Sequence, residues 1–401
     1  MKSRIASFTG ALALSFASAA CLAQARYDPG ASDASIRIGQ TMPYSGPASA
    51  YGTIGRSQAA YFRMLNERGG IGGRRIEFVS LDDGYSPPKA VEGTRRLVEQ
   101  DPVLFVFGTL GTPSNSAIRP YLNARGVPQL FAATGAAKWN DPKRFPWTMG
   151  GQPDYRTEGR IYAHHILQTK AGARIGVLYQ NDDFGRDYLA GLRAGLGERA
   201  ATMIVAEVSY DVADPSVDSQ IAMLQGAGAD VFVNVTTPKF AAQAIRRAYD
   251  IGWRPMQYLA AVSVSVSSVM RAAGLGKGVG IVSAAYLMTP GDPEWVDHPS
   301  MRQWREWMGK YYPEGDPSDY LNVYGYVTAQ MVEKVLRQAG DDLTRENVMR
   351  QAQNLRGWAP AMMLPGVAVT TGPDDHAPFE ALQLTRFDGK SWVRFGEVIG
   401  N

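Results

Sequence analysis

The chain has little cysteine, little histidine and almost no excess of either charge. Of its 401 residues one is cysteine, Cys21, and four are histidine. Lys and Arg number 41 against 38 Asp and Glu, without a basic run, so a nucleic-acid partner is not indicated. His164 and His165 adjoin in a predicted helix, where neighbours point about 100° apart and cannot share a metal ion. We therefore predict no metal site and no cofactor.

Motifs of common hydrolases and nucleotide-binding proteins are also missing. The chain has no G-x-S-x-G nucleophile turn, and VFGTLGTPSNSA (106–117) lacks the lysine of a phosphate-binding loop. Asp82-Asp83 and Asp182-Asp183 are adjacent acids at the ends of predicted strands, where acids usually cap the following turn or helix. We predict no catalytic residues, and a hydrolase or lyase that uses Asp182 or Asp183 is the competing hypothesis.

Nothing after the first 25 residues is long and apolar enough to span a membrane. The start combines two early cations with an Ala-rich apolar run that ends in AQA at residues 23–25. This is the pattern of a secretory signal peptide over residues 1–25, so we predict cleavage after Ala25 and a periplasmic location. The alternative is a lipid anchor on Cys21, but SAAC (18–21) has serine where a lipoprotein site expects an apolar residue.

What the sequence does contain is an alternation of apolar strands and helices. SIRIGQTM (35–42) and VLFVFG (103–108) are two of the predicted strands, and a helical pattern follows each. Strands that are apolar throughout, each followed by a helix, indicate a parallel sheet covered on both faces. Two such series flank segment 145–155, and the tail predicts a hairpin around Asp388-Gly389. The sequence thus predicts an α/β fold with two units.

Hydroxyl groups are concentrated after two neighbouring predicted strands. Thr112, Ser114 and Ser116 follow VLFVFG, and Thr134 follows VPQLFAA. Ligands of parallel α/β sheets bind beyond the carboxyl ends of the strands, and a helix N-terminus favours an anion through its free amides and its dipole. Helix caps without any ligand would place the same residues there. Because two consecutive strand ends carry hydroxyls, the pattern favours a site for a carboxylate-sized anion.

The segments that carry a resemblance to a known family are IRIGQTMPYSGPASAYG, NERGGIGGRRIEFVSLDDGYSPPKAVEGTRRLVEQD, VFGTLGTPSNSA and VLYQNDDFGRDYLAGLR. They resemble the type I periplasmic binding proteins that serve ABC transporters, and in particular the leucine/isoleucine/valine-binding proteins. The resemblance implies two Rossmann-like lobes with parallel sheets, joined by three crossovers. We expect residues 26–150 and 281–355 to form the N-terminal lobe, and residues 151–280 and 356–401 to form the C-terminal lobe.

The resemblance also implies a ligand site in the cleft between the lobes. Tyr51 matches an aromatic pocket wall, and Thr112 matches a serine that holds the ligand carboxylate. Thr134 and Ala136 match residues that complete this grip, and Phe184 matches a tyrosine of the opposite lobe. The expected ligand-binding residues are Tyr51, Thr112, Ser114, Thr134, Gly135, Ala136, Tyr155, Asp183, Phe184, Thr236, Ser263 and Asn322.

Segment 256–268 sets our expectation for the ligand. Amino-acid binders of the family place an acid there to pair with the ligand ammonium, whereas MQYLAAVSVSVSS contains none. An unpaired ammonium in a closed cleft costs several kcal/mol. We therefore predict a small organic carboxylate, an aromatic one included, against the walls of Tyr51, Tyr155 and Phe184. A branched-chain amino acid is the alternative, with Asp154 or Asp183 as a source of the missing charge.

The resemblance finally implies a partner and a mode of action. We expect a monomer that closes on its ligand and hands it to an ABC permease in the inner membrane. A ligand-sensing subunit of a membrane receptor would use the same clamp and is the second alternative.

Overall fold

The computed structural model describes residues 25–400. The predicted signal peptide, apart from Ala25, and the alternative lipid site at Cys21 lie outside the described residues. Within the described range, no helix combines the length and the apolar character needed to cross a membrane.

Fourteen strands and twelve α-helices are described over residues 25–400. The strands are β1 (Arg26–Tyr27), β2 (Ser35–Met42), β3 (Arg75–Asp82), β4 (Phe105–Phe107), β5 (Gln129–Ala132), β6 (Thr148–Gly150), β7 (Ile175–Gln180), β8 (Ile204–Tyr210), β9 (Val231–Val235), β10 (Met256–Leu259), β11 (Val282–Ala285), β12 (Asp342–Leu343), β13 (Ala381–Phe387) and β14 (Trp392–Gly400). The helices are α1 (Gly52–Glu67), α2 (Pro87–Glu99), α3 (Thr112–Ala124), α4 (Tyr155–Thr169), α5 (Asp183–Leu196), α6 (Ala200–Met203), α7 (Asp218–Gly226), α8 (Pro238–Asp250), α9 (Arg271–Ala273), α10 (Pro299–Tyr311), α11 (Tyr320–Ala339) and α12 (Arg345–Ala352).

Two separate sheets organise these elements into Rossmann-like lobes. The first has five parallel strands in the order β3-β2-β4-β5-β6. The second sheet has the order β14-β13-β11-β10-β9-β7-β8. Strands β7 to β11 pair in parallel, whereas β13 pairs antiparallel with both β11 and β14. Every side chain of β4, β5 and β9 is buried, because helices cover both faces of a parallel sheet. The predicted α/β fold is confirmed. A short pairing of β1 with β12 forms a separate ladder.

The chain passes between the lobes three times: before α4, after β11 and before β13. The second passage returns α10 to α12 to the first lobe. There α11 packs on α1, where Ser57 Oγ donates to the carbonyl of Asn322 at 2.8 Å and Gln58 Nε2 donates to Thr328 Oγ1 at 3.0 Å. The two lobes therefore share discontinuous stretches of sequence.

Two of the predicted lobe boundaries are wrong. Strand β11 pairs with β10 and β13 of the second sheet, so residues 282–285 do not belong to the N-terminal lobe that we began at 281. His376 lies against β6 of the first sheet, where its Nδ1 is 2.7 Å from the carbonyl oxygen of Thr148. The C-terminal segment thus joins the second sheet later than 356. An apolar strand pattern shows that a strand is buried, but not which sheet buries it.

The structure shows how local residue types set a helix start and a turn. Helix α2 begins at Pro87, a position where proline is favoured because its missing amide is not needed, and in the described structure the Ser86 side chain makes no capping hydrogen bond. The tail forms the predicted hairpin, with Phe387 opposite Trp392 and Gly389 at φ +103° in the turn.

Candidate functional site

Two adjoining cavities lie between the lobes, at the carboxyl ends of the parallel strands. The first has about 300 Å³ of unfilled space and is lined by Tyr51, Tyr85, Leu110, Gly111, Thr112, Ala133, Gln152, Tyr155, Phe184, Thr237 and Val262. The second has about 430 Å³ and is lined by Tyr51, Ile54, Gln152, Pro153, Tyr155, Glu158, Ala261, Val262, Tyr286, Tyr320, Leu321 and Tyr324. Because four of these residues are common to both, we treat the cavities as parts of one site.

A pair of hydroxyls at a helix start forms the polar end of the first cavity. The Oγ1 atoms of Thr112 and Thr134 lie 2.6 Å apart, and both residues are buried. Helix α3 begins at Thr112, directly after Gly111 at φ +96°, and in the described structure no side chain caps its first amides. A Cβ on Gly111 would lie 2.6 Å from the ring of Tyr85, so only glycine fits this approach. Free amides, the helix dipole and hydroxyls together suit a carboxylate.

Aromatic rings form the walls of the first cavity. The rings of Tyr155 and Phe184 meet edge to face with centroids 5.0 Å apart, and Tyr155 stacks on Tyr188 at 5.0 Å. Burial raises the pKa of Tyr51, Tyr155 and Tyr188, so these phenols are neutral at ordinary pH. The cavity is thus polar at the start of α3 and apolar along its sides.

Glu158 is a buried acid of the second cavity that our sequence analysis missed. Its side chain is 3% exposed, and its Oε1 accepts hydrogen bonds from the hydroxyl of Tyr162 and, at 2.8 Å, from the amide of Ala261. Burial raises the pKa of the Glu158 carboxyl to about 7. Its position three residues after Tyr155 on α4 was a sequence signal, because such residues share one helix face.

Four of the predicted residues, Tyr51, Thr112, Tyr155 and Phe184, line the first cavity. Thr134 supports it through the contact with Thr112 and also accepts from Trp139 Nε1 at 3.1 Å. Gly135 and Ala136 line a different pocket, beside His376. Ser114 is buried on α3, and among the described residues its Oγ has no hydrogen-bond partner.

The acids after β7 do not serve the site as expected. Within the described range, Asp183 lies outside the lining of both cavities, and its carboxylate is 2.6 Å from Lys138 Nζ. The lysine lowers the pKa of Asp183. Asp182 caps α5 by accepting from the amides of Phe184 and Gly185 at 3.0 and 3.3 Å. The expectation that Asp183 supplies charge to the ligand is therefore wrong, and capping is the role of Asp182.

Thr236 and Ser263 are displaced by one residue from the lining that we predicted. Thr236 Oγ1 donates to Asn234 Oδ1 at 2.7 Å, and Ser263 Oγ donates to the carbonyl of Thr236 at 2.5 Å. Their neighbours Thr237 and Val262 line the cavity instead. After β9 the chain is extended, so successive side chains point to opposite sides and an error of one residue reverses the assignment. Val262 and Ser263 lie in a short 3-10 helix, where neighbouring side chains also point in different directions.

Asn322 also lies outside the lining of the two cavities over residues 25–400. Its Nδ2 donates to the carbonyl of Asp316 at 2.7 Å. Its neighbours Tyr320, Leu321 and Tyr324 line the second cavity. The helix face of α11 that meets the site is therefore the one beside Asn322.

Tyr85 is a further lining residue that we did not predict. It follows β3 at the same sheet edge as Thr112 and adopts φ +62°, which is uncommon for a residue other than glycine. Its hydroxyl accepts from Gln180 Nε2 of the second lobe at 3.3 Å. The available signal was its place directly after a parallel strand.

Comparison with known proteins shows a match over most of the chain. Residues 35–391 match the family model described as periplasmic binding protein. The amino acid binding protein of Pseudomonas aeruginosa is 25% identical over 207 residues, 49% of this chain and 53% of that protein, so the match spans about half of that relative's length. Leu/Ile/Val-binding protein homolog 7 of Brucella abortus is 24% identical over 345 residues, 79% of this chain and 81% of that protein.

Solved structures also share the fold. The crystal structure of a branched-chain amino acid ABC transporter from Thermus thermophilus with bound valine superposes with a TM-score of 0.82. It is 18% identical and covers 92% of this chain and 98% of its own. This likeness supports the two-lobe fold.

Proposed function

Since the chain belongs to the periplasmic binding protein family, we propose that it binds a small carboxylate between its lobes, with a branched-chain amino acid as the ligand. The observation that supports a carboxylate ligand is the pair of buried hydroxyls of Thr112 and Thr134 at the uncapped start of α3. Their position at the carboxyl end of β4 and β5 is where parallel sheets bind ligands.

The choice of an amino acid departs from our sequence-based preference for a small organic carboxylate, an aromatic one included. The names of the Pseudomonas and Brucella relatives support the amino-acid alternative. Our preference depended on the absence of an acid from segment 256–268, and this segment is only one part of the cleft. Glu158 lies in α4, outside that segment, and places a carboxyl group in the second cavity.

The biological role that we propose follows from the family. Family members act outside the cytoplasm, and we propose that this chain captures its ligand there as a monomer and delivers it to an ABC permease of the inner membrane. It catalyses no reaction in this proposal. The three passages between the lobes would allow hinged closure over the ligand.

Thermal unfolding of the chain from residue 26 onward tests this function. The panel comprises leucine, isoleucine and valine; 4-methylpentanoate and phenylacetate, which lack the amino group; and 3-methylbutylamine, which lacks the carboxylate. A ligand at one hundred times its Kd stabilises the protein by about 2.7 kcal/mol. We expect stabilisation by the amino acids and none by the amine. Stabilisation by phenylacetate alone would restore the aromatic-acid hypothesis, and the absence of any carboxylate effect would refute the proposed function.

A further inference from the structure

The second cavity is aromatic and contains one acid. Among its lining residues in the described part of the chain, Glu158 is the single acidic side chain, and the first cavity is lined by none. Tyr286, Tyr320 and Tyr324 contribute rings to the same lining. A buried carboxylate without a charged partner is unfavourable. A cation bound beside it would be attracted both by the carboxylate and by the faces of the aromatic rings.

The two cavities adjoin, and four residues are common to their linings. Tyr51, Gln152, Tyr155 and Val262 line both. Tyr155 begins α4 and Glu158 follows on the same helix face, so the acid lies about one turn from the wall of the carboxylate end. We propose that Glu158 binds the ammonium group of the ligand, in place of the acid that is absent from segment 256–268.

This assignment builds on the proposed function and names the residue that selects for an amino group. In the described structure, Oε1 of Glu158 accepts hydrogen bonds from Tyr162 and Ala261. Oε2 takes part in neither bond and, among the described residues, has only the hydroxyl of Tyr188 as a further polar neighbour, so in this assignment Oε2 is the oxygen that pairs with the ligand. A purely structural role, in which Glu158 only ties α4 to residue 261, makes a different prediction for pH dependence.

The groups that face Glu158 carry no charge in the pH range of the test. They are the phenols of Tyr155, Tyr162, Tyr188, Tyr286 and Tyr320 and the amide of Ala261. Burial raises the pKa of each of these tyrosines, so all are neutral below pH 9. The carboxyl of Glu158, with a pKa of about 7 before ligand binds, is then the group that titrates. An ammonium ligand requires the ionised form, so its affinity falls by about tenfold per pH unit below 7.

Calorimetric titration of the wild type and Glu158→Gln with leucine and with 4-methylpentanoate tests the assignment. The substitution keeps Oε1 as an acceptor for Ala261 and removes the charge. We expect leucine to bind the wild type about 30-fold more weakly at pH 5.5 than at pH 8. At pH 8 we expect Glu158→Gln to bind leucine at least roughly 30-fold more weakly than the wild type does. The affinity of the variant should not depend on pH between 5.5 and 8. The affinity for 4-methylpentanoate should not fall in the variant, because this ligand has no ammonium group that could pair with the carboxylate.

A matched control separates the charge from the packing. Tyr162→Phe removes a hydrogen bond that lowers the pKa of Glu158 and leaves the carboxyl in place, so leucine binding should remain pH-dependent, with its midpoint moved to higher pH. Unchanged leucine affinity in Glu158→Gln at pH 8, or an equal loss for both probes, would overturn the assignment while the proposed function stands. Failure of both probes to bind the wild type would overturn the proposed function and this inference together.

Discussion

Single residues decide the polarity of each end of the site. Thr112 could be assigned from the sequence, because a strand end followed by a helix start fixes its surroundings locally. Glu158 could not be assigned in this way, since its neighbours in the site include Ala261, 103 residues further along the chain. The polar end of the first cavity is therefore a local property of the sequence, whereas the acid of the second cavity results from tertiary packing.

We predict that Thr112→Val lowers the affinity for leucine by about 10- to 100-fold. The substitution keeps the shape of the side chain but removes a hydroxyl from the anion end, and a hydrogen bond to a charged group contributes about 1.5–3 kcal/mol. Calorimetric titration measures the loss. Ser116→Ala is the matched control on the same helix, because Ser116 Oγ donates to the carbonyl of Thr112 and lies outside the lining of the cavity. Equal affinities of Thr112→Val and the wild type would contradict the carboxylate assignment.

At the scale of elements, α4 and α5 hold the aromatic wall through close backbone contact. A Cβ on Gly191 of α5 would lie 2.1 Å from the carbonyl oxygen of Arg156, and one on Gly159 of α4 would lie 2.5 Å from that of Tyr188. This approach sets Tyr155 against Phe184. The sequence does not indicate this contact, because the small residues that permit it are meaningful only when the partner helix is known.

Gly191→Ala is expected to destabilise the protein and to weaken ligand binding. The new methyl group must push α4 away from α5, which we expect to cost about 1–3 kcal/mol and to displace Tyr155. Urea unfolding and leucine titration measure the two effects. Gly226→Ala in α7 is the control, because a Cβ there meets nothing within 4 Å and alanine favours the helix. Equal stabilities of the two variants would show that the contact between α4 and α5 is not tight.

At the scale of the whole molecule, polar contacts join the lobes across the cleft. Lys138 of the first lobe pairs with Asp183 of the second at 2.6 Å, and the amide of Ala137 donates to Asp187 Oδ2 at 2.9 Å. These bonds exist only while the lobes are together, so they favour the closed arrangement of the protein. We therefore expect Asp183 to contribute to closure, although we had first expected it to contact the ligand.

We predict that Lys138→Met accelerates ligand release by up to about fivefold. The ion pair is partly exposed, and such pairs contribute about 0.2–1 kcal/mol. Stopped-flow measurement of leucine release gives the rate constant. Lys170→Met is the matched control, because Lys170 pairs with Asp230 within the second lobe. A release rate equal to that of the control would indicate that the Lys138–Asp183 pair does not stabilise closure.

The sequence by itself determined the alternation of strands and helices, the parallel character of the sheets, the terminal hairpin and the helix start at Thr112. These features depend on periodicity, caps and turns, which act over a few neighbouring residues. Only the tertiary structure decided that β11 joins the second sheet, that Thr237 rather than Thr236 lines the first cavity, and that Glu158 lines the second. Those outcomes depend on packing between distant segments, where a shift of one residue turns a side chain to the opposite face.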